Sequence, residues 1–240
     1  MRSGLGRLPG IRSTGARLHC RSYRFRRNLF TKLLKMPFYA QHIKAARLHL
    51  QKCDPVFKRL LKEVGPFTAK AKRDRFGTLA NSIISQQISV AAAATIRARL
   101  LDSFAPDPLS PAGILKLNTD QLRELGISRQ KASYILDLSD KVNSGEVCLD
   151  KIHLKDDEAI IEELVQVKGI GRWTAQMFMM FSLGRLDVLP VDDLGIKNAI
   201  KTHYQLDDLP DKQTIEEIAQ PWRPYATIAC WYLWRSLESG

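Results

Sequence analysis

The chain has 240 residues, 45% of them apolar, enough to bury one substantial core or two small helical lobes that share an interface. Its formal charge of +12 does not describe the folded body: residues 1 to 53 hold 13 Lys and Arg and no acid, while the other 187 residues carry 24 basic against 25 acidic side chains. Net charge is therefore no evidence for a nucleic-acid face on residues 54 to 240, and no apolar run approaches the ~18 residues of a membrane span, so a soluble protein without a membrane partner is expected.

In chain order, residues 1 to 35 come first, rich in Arg, Ser, Gly and Leu and free of acids. That is the composition of an organelle transit peptide, and equally of translated upstream bases ahead of a start at Met36; a basic DNA-contacting arm is a third reading. Residues 36 to 240 are read as the functional domain. Cys20, Cys53, Cys148 and Cys230 stand apart from one another, without the close pairs of metal or cluster ligation, and are read as reduced thiols of an intracellular protein.

From Phe76 onward, apolar residues recur at helical spacing: Phe76, Leu79 and Ile83; Ile135, Leu138 and Val142; Ile160, Ile161 and Leu164; Trp173, Met177 and Met180. The breaks fall at Pro106 and Pro108, Gly126, Gly145, Gly169 with Gly171, Gly184, Pro190, Pro210, and Pro221 with Pro224. The pattern predicts an all-α body of about ten short helices, with no sustained alternating strand. Leu122 to Lys131 (LRELGISRQK) loosely echoes Leu164 to Trp173 (LVQVKGIGRW) as helix, Gly-containing turn, helix. The first lacks a second Gly and is read as a structural hairpin.

The second is the richest stretch of the chain, within a hairpin placed at residues 157 to 182. Gly169 and Gly171 flank Ile170 in a tight turn, after which a helix begins with unpaired amides. Two glycines permit a phosphate to come close, and a helix N-terminus supplies donors and partial positive charge. Taken alone, Gly-x-Gly is equally a helix C-cap in a plain turn. About twenty residues on, Leu189-Pro-Val-Asp-Asp-Leu-Gly-Ile196 ends in two carboxylates at a predicted helix start, where either Asp192 or Asp193 could serve as N-cap.

Hairpin and Asp loop together resemble the helix-hairpin-helix DNA glycosylases, over roughly Arg75 to Arg235. The resemblance implies two helical lobes with the hairpin and a catalytic-Asp loop at the cleft between them. Family members place an apolar residue three positions after the working carboxylate; Ile196 satisfies this for Asp193, leaving Asp192 as the capping or orienting neighbour. Ile83-Ile-Ser-Gln-Gln-Ile-Ser-Val90 looks like the alkylpurine branch, the 3-methyladenine DNA glycosylase II type, whose loop tip enters the minor groove. On that resemblance Gln87 is the wedge that fills the gap left by an extruded nucleotide and Gln86 supports it.

Pro221-Trp-Arg-Pro-Tyr-Ala-Thr-Ile-Ala-Cys-Trp-Tyr232 resembles the final helix of the same branch. Trp231, Trp173 and Met177 are thereby assigned to the base pocket. DNA contacts are assigned to Gln86, Gln87, Lys168, Gly169, Ile170, Gly171 and Arg172. Relatives that cut the sugar-phosphate backbone place a Lys where Trp173 stands, so a monofunctional enzyme is expected.

What the resemblance implies is removal of alkylated purines such as 3-methyladenine and 7-methylguanine from double-stranded DNA during base excision repair. It implies no required cofactor and no catalytic metal. A monovalent cation at the carbonyls of Val165, Val167 and Ile170 is the family's optional addition. A monomer working with DNA is expected, in cytoplasm, nucleoid or nucleus, or in a mitochondrion or plastid if residues 1 to 35 are a transit peptide. A glycosylase for another lesion and a non-catalytic helix-hairpin-helix DNA-binding protein are the alternatives.

Overall fold

Most of the described helices begin at a residue whose side chain takes up an unpaired backbone amide. The computed structural model describes residues 40–238, so the readings of residues 1 to 35 lie outside the described residues. The described part is all-α, with twelve α-helices, two short 3-10 turns and no strand.

Helix α1 (Ala40–Cys53) is followed by α2 (Pro55–Glu63), capped by the Asp54 side chain, which accepts from the Val56 amide. Asp74 caps α3 (Arg75–Ser85), and Ser89 caps α4 (Val90–Asp102). After the short α5 (Pro111–Ile114), Asn118 and Gln121 close a reciprocal capping box at the start of α6 (Thr119–Glu124). Helix α7 (Arg129–Ser144) starts on Ser128 and ends on Gly145 in the left-handed conformation. Then come α8 (Asp157–Leu164), α9 (Arg172–Phe181), α10 (Leu194–His203), α11 (Lys212–Ala219) and α12 (Ala226–Leu237). No described helix is long and apolar enough to cross a membrane.

The closest helix packing falls into two sets, α1 and α2 with α10 to α12, and α3 to α9 among themselves. The chain thus begins in one lobe, builds the other, and returns through residues 182–193. A single hydrophobic core runs through both sets.

The first lobe is organised around a buried carboxylate. Asp54 is 7% exposed and accepts from Trp222 Nε1 at 2.9 Å and from the Tyr204 hydroxyl. Burial, then the Asp54 bond, push the Tyr204 phenol well above its ordinary range. The lobes meet where Phe181 on α9 packs on Trp234 of α12, ring centroids 6.0 Å apart, and where the Lys72 amide donates to the Phe181 carbonyl at 2.9 Å.

Candidate active site

Two helices, α8 and α9, and the turn of residues 165–171 between them form the hairpin. The turn carries Gly169 at φ +80°, a conformation that side chains resist. A Cβ there would also lie 2.2 Å from the Tyr134 ring, so both backbone and packing demand glycine. Gly171 is different: it has ordinary extended backbone, and a Cβ on it would meet nothing within 4 Å. It is the N-cap of α9 and provides no side-chain cap, so no side chain of its own takes up the amides of the first turn. The sequence suggests one reason for both glycines; the structure gives an internal reason for Gly169 and none for Gly171.

Ile170 is 4% exposed, so its part in any contact is restricted to its backbone. Lys168 projects outward, its side chain 69% exposed and its Nζ 3.5 Å from Asp137, whose carboxylate also accepts the Lys168 amide at 2.9 Å. Arg172 is bound bidentately to Glu158, with one contact at 3.0 Å, and this holds the Glu158 carboxyl below its usual range. The hairpin therefore offers backbone donors and Lys168, while Arg172 is engaged by an acid of the preceding helix.

Facing the hairpin, Asp193 caps α10 by accepting the Ile196 amide at Oδ1, 2.8 Å away. Its carboxylate also accepts from Trp173 Nε1 at Oδ2, 2.7 Å, and from Trp234 Nε1 at Oδ1, 2.9 Å. All three donors are neutral, so the group is oriented without being neutralised; among the described residues no Lys or Arg is ion-paired with it. Asp192 turns away to Lys212, 3.1 Å distant, with its side chain half exposed. The cap is Asp193 itself, which corrects the assignment of capping to Asp192: a helix start has room for one side chain that folds back on its own third amide, and Asp193 takes it.

Trp173 is 47% exposed and bridges hairpin and Asp loop. Met177, one turn along α9, is half-buried against the core. Trp231 is only 8% exposed, with Phe67 tilted over it at 4.6 Å and Tyr232 edge-on at 4.9 Å. Cys230 beside it is fully buried, and burial raises its thiol far out of the reactive range. Between α3 and α4, Gln87 is exposed at φ +56°, and Gln86 reaches back to donate from Nε2 to the Gly169 carbonyl at 2.8 Å.

Matching to protein families identifies residues 80–224 as an HhH-GPD superfamily base excision DNA repair protein. The chain belongs to that superfamily. A putative DNA-3-methyladenine glycosylase of Bacillus subtilis is 36% identical over 169 residues, covering 68% of this chain but 59% of the relative. The DNA-3-methyladenine glycosylase 1 of Schizosaccharomyces pombe is 32% identical over 197 residues, covering 80% of this chain and 86% of the relative. A solved structure of an S. pombe 3-methyladenine DNA glycosylase in complex with abasic DNA superposes with TM-score 0.70 at 31% identity, over 81% of this chain and 97% of that one.

Two residues that sequence reasoning missed complete the surroundings of Asp193. Trp234 supplies the second indole donor, and Gly195 leaves it room, since a Cβ there would fall 3.0 Å from both Asp193 Oδ1 and Trp234 Cδ1. Trp234 follows Trp231 by three residues and so lies on the adjoining helix face; that spacing was the available signal. A cavity of about 1000 Å³ lies elsewhere, between α1, α2 and residues 67–70, and Asp193 does not line it.

Proposed function

We propose that the chain is a monofunctional DNA glycosylase that hydrolyses the N-glycosidic bond of alkylated purines, 3-methyladenine and 7-methylguanine, in double-stranded DNA. The observation that carries this reading is the Asp193 carboxylate, pinned by three neutral donors beside a hairpin with uncapped amides.

A stacked nucleotide hides the bond to be broken, so it must first leave the duplex, at a cost of a few kcal/mol. The α9 amides and Lys168 grip a backbone phosphate, and Gln87, supported by Gln86, fills the vacated place in the stack. The exposed face of Trp173, with Met177 beside it, receives the base; an alkylated purine carries positive charge, and an indole face attracts it by about 0.5 to 2 kcal/mol. Trp231 backs the pocket from the interior.

The C1′–N bond then breaks and its electron pair leaves with the base, which the positive charge makes a good leaving group. Positive charge develops on the sugar. A carboxylate at ~4 Å and an effective dielectric of ~20 lowers that state by about 4 kcal/mol, roughly a thousandfold in rate. Water adds at C1′ and gives up its proton, for which Asp193 is the nearest base. Trp173 has no amine with which to attack the sugar, so the strand stays intact at the abasic site.

The reaction calls for no cofactor. A monovalent cation, if bound, would be held by the neutral carbonyl oxygens of Val165, Val167 and Ile170 and would supply positive charge toward a phosphate. The protein acts as a monomer on cellular DNA, since hairpin, wedge loop and Asp193 all come from one chain.

A base-release assay on methylated duplex DNA tests the proposal: wild type frees 3-methyladenine, and Asp193→Asn binds DNA but releases the base about a thousandfold more slowly. Unchanged turnover in that variant would refute the assignment. Release of oxidised or mismatched bases instead would redirect it to another lesion, and DNA binding without any release would leave a binding module. Borohydride trapping of a covalent protein-DNA adduct would exclude monofunctional action.

A further inference from the structure

The loop joining α3 to α4 combines a strained residue with an unsatisfied helix end. Gln87 at φ +56° occupies the left-handed region without being glycine, at a cost of about 1 kcal/mol. Helix α3 has no basic residue in its last turn, so its terminal carbonyls carry partial negative charge with no local cation. Both features are met from α7. Lys131 donates its ammonium to the Ile84 carbonyl at 2.7 Å and the Gln86 carbonyl at 2.5 Å, spanning the residues that lead into Gln87.

The same side of α7 touches the glycine hairpin. Tyr134, three residues on, covers Gly169, and Asp137, three further, accepts the Lys168 amide at 2.9 Å. Gln86 closes the circuit by donating to the Gly169 carbonyl at 2.8 Å. One helix thus sets the distance between the loop that would enter the DNA stack and the turn that would hold the backbone. Burial lowers the Lys131 ammonium below its ordinary range, in keeping with a side chain committed to carbonyls rather than to solvent.

We propose that Lys131 is a positioning residue for nucleotide extrusion: by holding the Ile84 and Gln86 carbonyls it fixes Gln87 in the conformation and at the height needed to enter the stack beside the gripped strand. The proposal rests on the reading of Gln87 as the wedge. A Met side chain has the length of Lys but no donor, so it removes the clamp and keeps the packing. An Arg keeps donors for both carbonyls.

The test is the full chain bound to duplex DNA containing a tetrahydrofuran abasic analogue with 2-aminopurine as its neighbour, whose emission reports insertion into the stack whether or not the protein turns over. Wild type changes the emission on binding and Gln87→Ala loses the change. Lys131→Met loses at least about two-thirds of it while Kd stays within about threefold, and Lys131→Arg retains it. Should Lys131→Met fail to fold, Lys131→Gln, with one amide for two carbonyls, gives an intermediate response. A wild-type response from Lys131→Met or Lys131→Gln, or a response that falls only in step with DNA affinity, overturns the role of Lys131. A full response from Gln87→Ala overturns the wedge reading instead.

Discussion

Two hairpins in this chain are built on nearly the same four residues, Gly126-Ile-Ser-Arg129 and Gly169-Ile-Gly-Arg172. Both place a glycine at positive φ, +96° and +80°, both bury the following isoleucine, and both start a helix at the arginine. They diverge at one position. Ser128 caps its own helix, accepting the Lys131 amide at 3.4 Å, whereas Gly171 leaves the α9 amides uncapped. A hairpin that satisfies its own backbone is a structural corner; one that does not has donors to spare for a ligand. The Ser-for-Gly difference separates a scaffold element from a binding element.

The largest effect that bears on this contrast is chemical. If only the second hairpin delivers DNA to Asp193, Asp193→Asn lowers single-turnover base release by about a thousandfold with DNA affinity nearly unchanged. Next is Gly169→Ala, where positive φ and the Tyr134 ring act together. A loss of about 3 kcal/mol in chemical denaturation is expected, and a loss under 1 kcal/mol would mean that the turn relaxes freely.

Trp234→Phe removes one neutral donor and keeps an aromatic ring at the lobe contact, so release slows by about tenfold while binding holds. Gly171→Ser converts the second hairpin into a copy of the first. It stabilises the fold by a few tenths of a kcal/mol and weakens binding to abasic duplex about fivefold; unchanged binding would show that the uncapped amides are idle. The smallest is Ser128→Ala, about 1 kcal/mol of stability by thermal melting, with base release at the wild-type rate once the protein is folded.

Much of the molecule was legible in the residues. The helical periods of Phe76-Leu79-Ile83 and Ile135-Leu138-Val142 and the Pro and Gly breaks anticipate the all-α fold, because both are local: spacing decides which face is apolar, and caps act within one turn. Gly169 announced its turn for the same reason. Asp193, picked out over Asp192 by Ile196 three residues later, is the Asp that caps α10 and turns toward the hairpin, since a cap is itself a three-residue relation. Either Asp could serve as the cap by sequence, with Asp192 read as the capping or orienting neighbour, and no local rule separates two adjacent Asp residues until the helix start is fixed.

The sequence by itself determined where helices run, which turns need glycine, and that a carboxylate sits at a helix start near the hairpin. Only the tertiary structure decided what meets that carboxylate and what braces the loop opposite it: Trp234 arrives from 41 residues away, Lys131 reaches the Gln86 carbonyl across 45, and Gln86 reaches Gly169 across 83. Capping and periodicity act along a few consecutive residues, whereas a donor brought by another helix depends on how lobes and hairpins pack, which no short window of the chain encodes.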